Sequence, residues 1–155
     1  RLSAALAAVS LCLLAPAVRA EILVNNVWVR ATVPGADSGA GYLTITNTGT
    51  EARSLLRLTS TVSDTVTIHQ SSIDAQGMAR MWPVAKLEIR PGETVKFEPN
   101  GRHLMFTALA APFRVGETVP VTFQFDRGSE PVTARLAVRP LVDDAPTAGA
   151  PAHNH

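Results

Sequence analysis

Two residue types that hold soft metal ions, His103 and Met105, stand two apart in "GRHLMFTAL" (residues 101–109). On an extended strand alternate side chains share a face, so the imidazole and the thioether point one way and Leu104 and Phe106 the other. The apolar pair is the natural core face. All three methionines, Met78, Met81 and Met105, lie between positions 78 and 105, and His69 and His103 bracket the same stretch. A thioether suits Cu(I), and imidazole suits copper as well. Ca²⁺ and Mg²⁺ select oxygen ligands, and zinc prefers Cys, His or carboxylate. If these groups converge, the ion they fit is copper. Each residue also has a plainer role: Met is a common core filler, and a single His at a strand end is commonly a surface residue. Met78, three residues before Met81, reads as a packing residue or a spare thioether, with packing the plainer role.

The elements that must position these groups are short strands. From Glu21 to about Arg139 no long helical period appears, and alternating apolar sets are separated by turn signals. Ile22, Val24, Val27 and Val29 surround an Asn25-Asn26 that marks a bulge or a turn. Tyr42, Leu43 and Ile45 form a strand closed by Asn47-Thr48-Gly49. Leu56 with Leu58, and Val66 with Ile68, are two further sets. "MARMWPVAKLEI" reads as one strand, followed by "GETVKFEP", "GRHLMFTAL", "GETVPVTFQFD" and "EPVTARLAVRP". Turns are expected at Arg90-Pro91-Gly92, Pro99-Asn100-Gly101, Val115-Gly116 and Arg127-Gly128-Ser129. Eight to ten strands with 11 prolines in the chain predict an all-β fold. The expectation is a single-domain β-sandwich over residues 21–140, Greek-key and of the immunoglobulin-like or cupredoxin-like kind. The Ala/Pro-rich residues 141–155 are expected to be a disordered tail.

The spacing is specific: His69-Gln70, ten residues, Met81, twenty-one residues, His103, one residue, Met105. It resembles the signature of the periplasmic PCuAC copper chaperones, His-Met-x10-Met-x21-His-x-Met, in four of its five positions. "VWVRATVPGADSGAGYLTITNTG", "GMARMWPV" and "LEIRPGETVKFEPNGRHLMFTAL" are similar to the family's phrases, so the resemblance spans residues 22–139. It implies a metal site of His69, Met81, His103 and Met105 for Cu(I). It further implies delivery to a respiratory copper centre such as that of cytochrome c oxidase, beside Sco-type chaperones. Gln70 departs from the pattern where the family carries Met, which puts a fifth sulfur in doubt. His153 and His155 form a candidate secondary site for Cu(II), set against a solvated tail with chance histidines. Ligands on a strand end, a hairpin and an outward strand face would make a shallow site open to exchange. Trp82, beside Met81, would either shield the metal edge or pack into the core.

Composition narrows the alternatives. Residues 1–20 have a basic start, an apolar run from Ala4 to Ala15 and Val18-Arg19-Ala20 before Glu21, the pattern of a secretory signal cleaved after Ala20. The run is short for a bilayer span, which needs roughly 20 apolar residues. Periplasmic location without membrane insertion after cleavage is expected. The one cysteine, Cys12, lies inside this leader and follows Leu11 rather than a small residue, against lipid anchoring. Without it the mature chain has no disulfide and no thiolate ligand, which excludes a blue-copper electron carrier. Mature Lys+Arg is 12 (14 less Arg1 and Arg19) against 13 Asp+Glu, a formal charge of −1. With no basic run, nucleic-acid binding is excluded. No Gly-x-Ser-x-Gly, phosphate loop or His-Glu-x-x-His is present, so an enzyme is not expected. The rival reading is a non-metal scaffolding or adhesion module of the periplasm, with Trp28 or Trp82 as contacts.

Overall fold

The computed structural model describes residues 21–141, and ten strands run through them. These are β1 (Ile22–Arg30), β2 (Ser38–Asn47), β3 (Arg53–Thr59), β4 (Ser63–Ile73), β5 (Ala79–Pro83), β6 (Leu87–Ile89), β7 (Thr94–Phe97), β8 (Arg102–Leu109), β9 (Thr118–Phe125) and β10 (Val132–Arg139). The all-β sandwich expectation holds. The stretch 78–89 divides into β5 and β6 instead of forming one strand, because after Pro83 only the Val84 amide still bonds to β4, at the Ile68 carbonyl, and residues 84–86 are not strand.

Hydrogen-bonded neighbours follow the order β5-β4-β8-β2-β1-β10-β9-β3-β6. The first half of β2 pairs with β8, from Ser38↔Thr107 to Gly41↔Leu104, and its second half pairs with β7, from Leu43↔Phe97 to Thr46↔Thr94. The first and last strands run parallel, Trp28↔Ala137 to Arg30↔Arg139, and tie the two ends of the domain together.

The core is what alternation demands. Leu43, Ile45, Leu104, Phe106, Val121, Phe123, Phe125 and Leu136 are all but fully buried, each such side chain contributing roughly 1.5–3 kcal/mol on burial. Packing is close at Gly41, where a Cβ would stand 2.9 Å from the Phe106 ring and 3.2 Å from Leu136. Any larger residue there would push β2 off β8. The Asn25-Asn26 signal proves to be a bulge: the β1–β2 register shifts between Asn25 and Trp28, with Asn26 at φ 52°. One extra residue reverses the alternation. Ile22 and Val24 face the core before the bulge and Val27 and Val29 after it, which turns Trp28 and Arg30 to the opposite side. Gly92 and Gly116 take positive φ at two of the expected turns, as do Asn100 and the Arg127-Gly128 pair at the others.

Candidate functional site

Strand β8 is flanked on both sides, by β4 and β2, so its side chains are held by two ladders. Leu104 and Phe106 enter the core with no exposure, and alternation turns His103 and Met105 to the other face. On β4, Val66 and Ile68 face inward, leaving Thr67, His69 and Ser71 outward. The register then sets His69 directly against His103, and Thr67 against Met105. The two imidazole centroids are 6.0 Å apart. Met105 is the diagonal neighbour of His69, within reach of a long side chain. Ala40 stands opposite Met105 on β2.

Met81 lies on β5, opposite Ser71, with Pro83 opposite His69. It shares the ligand face and is also a diagonal neighbour of His69, but from the far side of the histidine rung. Four residues of β4 separate the levels of Met81 and Met105, roughly 14 Å of strand rise. The register therefore places Met105 and Met81 on opposite sides of the His69–His103 rung, Met105 on a strand paired on both sides and Met81 on the exposed edge hairpin, where it is 52% accessible.

The ring nitrogens are differently employed. Nδ1 of His103 is 3.2 Å from the Gly101 carbonyl oxygen, which also accepts the Ser71 amide at 2.9 Å. With Nδ1–H donating to that carbonyl, the Nε2 lone pair of His103 is left for a ligand, the usual arrangement at metal-binding histidines. His69 carries a buried Nδ1 with no hydrogen-bond partner, an unmet polar group on the same rung. Burial, and secondarily the charge of His103, hold the His69 pKa below the ordinary 6.5. Both effects favour the neutral imidazole that coordination needs. Among the described residues no group of three or more His, Cys, Asp or Glu could hold a metal ion. The other donor on this face of β8 is the Met105 thioether.

Other expected residues fall differently. His69 sits inside β4, not at its end. Gln70 alternates to the face opposite His69, and its Nε2 donates to the Ser71 carbonyl, so its departure from the family pattern removes no donor from the ligand face. Met78 is exposed rather than packed, because it closes a turn in which its amide donates to Asp74 Oδ1 at 2.9 Å. Trp82 is 46% exposed and alternates away from Met81, so it neither shields that side chain nor enters the core. His153 and His155 lie outside the described residues, as do the expected leader with Cys12 and the rest of residues 142–155. Two features escaped the sequence reading. One is the Gly101 carbonyl, for which the Pro99-Asn100-Gly101 turn was the available signal. The other is the outward Trp28–Tyr42 pair, legible in the parity change across Asn25-Asn26.

The fold is that of the PCuAC domains. The copper-bound PCuAC domain from PmoF2 superposes with a TM-score of 0.64 at 21% identity, covering 78% of this chain and 94% of that one. The apo PCuAC domain from PmoF1 gives 0.65 at 18%, covering 78% and 95%. The solution structure of CuI-DR1885 from Deinococcus radiodurans gives 0.58 at 25%, covering 76% of each chain. The family model described as "Putative lipoprotein LpqE-like" matches residues 22–138, and the chain belongs to this LpqE-like family. A search of curated protein sequences gave no match.

Proposed function

We propose that the protein is an exported copper chaperone, not an enzyme, that carries Cu(I) on the outward face of β4 and β8 and releases it to a respiratory copper centre. The observation that carries this reading is the His69–His103 rung with Met105 diagonal to it, two nitrogens and a sulfur on one face. That donor set suits Cu(I). The copper named for the PmoF2 domain and for DR1885, whose folds this chain shares, supports it. His69, His103 and Met105 form the fixed part of the site. Met81 is its movable part: β5 pairs with β4 alone, so the hairpin can curl toward the rung and add the second sulfur. A ligand on an edge strand can leave first when copper is handed on. His153 and His155 provide a weaker, secondary Cu(II) site. The recipients are a copper-bearing subunit of cytochrome c oxidase or a Sco-type partner, in the periplasm, after cleavage behind Ala20.

An anaerobic titration of the protein with Cu(I) against a chromophoric chelator tests the site. One tight equivalent is expected, weakened in His103→Ala, Met105→Ala and Met81→Ala. Binding unchanged in all three variants would remove the site. Absence of tight binding in the unaltered protein would return it to the scaffolding reading.

A further inference from the structure

The ligand face continues beyond β8. Tyr42 has the outward parity of Ala40, which is paired with Met105, and stands one residue past the Gly41↔Leu104 rung. Its other neighbour is Trp28, directly opposite on β1, with ring centroids 4.4 Å apart. Each ring carries a guanidinium: Arg139 Cζ lies 4.9 Å from the Trp28 centroid and Arg30 Cζ 5.9 Å from that of Tyr42, both within cation–π range.

These two arginines face each other directly across the parallel β1–β10 pair. Like charges in that position destabilise a sheet. Among the described residues neither has a carboxylate within ion-pair distance, although Arg53, Arg80 and Arg127 do. The Nε of Arg30 is buried and without a hydrogen-bond partner. Arg135 shares the outward parity of Arg139 on β10 and adds to the positive field. Two planar donor forks, held by rings and unneutralised, match a carboxylate bidentately.

We infer that Arg30 and Arg139, floored by Trp28 and Tyr42, form a carboxylate clamp through which an acidic surface of the copper recipient docks beside the ligand rung. The inference rests on the copper-delivery reading and names the chemistry of its partner. The clamp orients the recipient so that its own ligands approach over Met105 and His103. It adds nothing to copper affinity, because Arg30 and Arg139 stand on β1 and β10, two and three strands from β8. Its effect is on encounter rate, which opposite charge raises and salt lowers.

The test uses two synthetic Cu(I)-acceptor peptides with the same acceptor core, one flanked by four aspartates and the other by four lysines. Stopped-flow transfer from the Cu(I)-loaded protein is expected to be about tenfold faster to the aspartate peptide at low salt. That advantage shrinks as salt rises and vanishes in Arg30→Glu/Arg139→Glu, whose Cu(I) affinity equals that of the unaltered protein. Arg30→Gln/Arg139→Gln repeats the measurement should charge reversal impair folding. Equal rates to both peptides, or an undiminished preference in the double variants, would overturn the clamp. A copper-free arm separates this from failure of the copper reading. An aspartate-flanked peptide without the acceptor core should shift the Trp28 indole N–H resonance in the metal-free protein, and not in the double variants. No shift overturns the clamp whatever copper does. A shift in the peptide-free protein upon Asp143→Asn/Asp144→Asn would make the chain's own tail the occupant, and would overturn it too.

Discussion

Strands β8 and β5 both present sulfur on the same face, yet they hold it in opposite ways. β8 is braced by β4 and β2 and anchored beneath by Leu104 and Phe106, so His103 and Met105 are placed by the core itself. β5 touches one neighbour, none of its five residues is buried, and Met81 hangs at the rim. A carrier of copper needs both conditions. Donors on a packed strand are pre-organised, which favours binding, whereas a donor on a thinly held edge can move at little cost, which favours release.

The contrast can be broken most forcefully beneath β8. Phe106→Ala empties a fully buried ring position and should cost about 3–5 kcal/mol of stability, read as a lower midpoint in urea; the same readout should barely move for Met81→Ala. At the site itself, changes just outside a metal's ligand shell typically cost 10–100-fold in affinity. His103→Ala should therefore weaken Cu(I) by at least about 100-fold. Met81→Ala should lose only about tenfold while its release to a chelator speeds up. Equal losses in the two variants would erase the distinction between fixed and movable donors.

A subtler effect concerns protons. Because burial and then His103 depress the His69 pKa, an NMR titration of the metal-free protein should show a midpoint below 6.5. In His103→Ala the midpoint should rise only partway, since burial, the larger cause, remains. The sign for stability follows: near pH 6 the unfolded chain binds more protons at this site than the folded one. The contribution is complete above about 6.5 and is lost as pH falls through the folded pKa. The smallest expected effect is that of Gln70→Met, which should leave Cu(I) affinity within about twofold, since position 70 faces away from the ligands.

Much of this was legible in order along the chain. Alternation in "HLMF" separated core from ligand face, because a strand has a two-residue period whatever its partners are. The turns at Arg90-Pro91-Gly92 and Pro99-Asn100-Gly101 were readable because Gly and Asn accept the positive φ those bends require. The x10 and x21 gaps carried the family resemblance, and residues 21–155 hold no cysteine to supply a thiolate. Other expectations failed for want of context. Packing for Met78 and for Trp82 needs a place to bury an apolar side chain, and an edge hairpin supplies none, leaving both exposed.

What the sequence determined by itself, then, was the donor chemistry and the two-sidedness of each strand, since both are properties of residue type and local backbone geometry. Only the tertiary structure decided which donors meet. The register of β4 on β8 set His69 against His103, the β4–β5 register held Met81 a rung away, and the bulge in β1 carried Trp28 and Arg30 round to the ligand face. Register is fixed by long-range pairing and by the fit of a shared core, and neither is written at any one position along the chain.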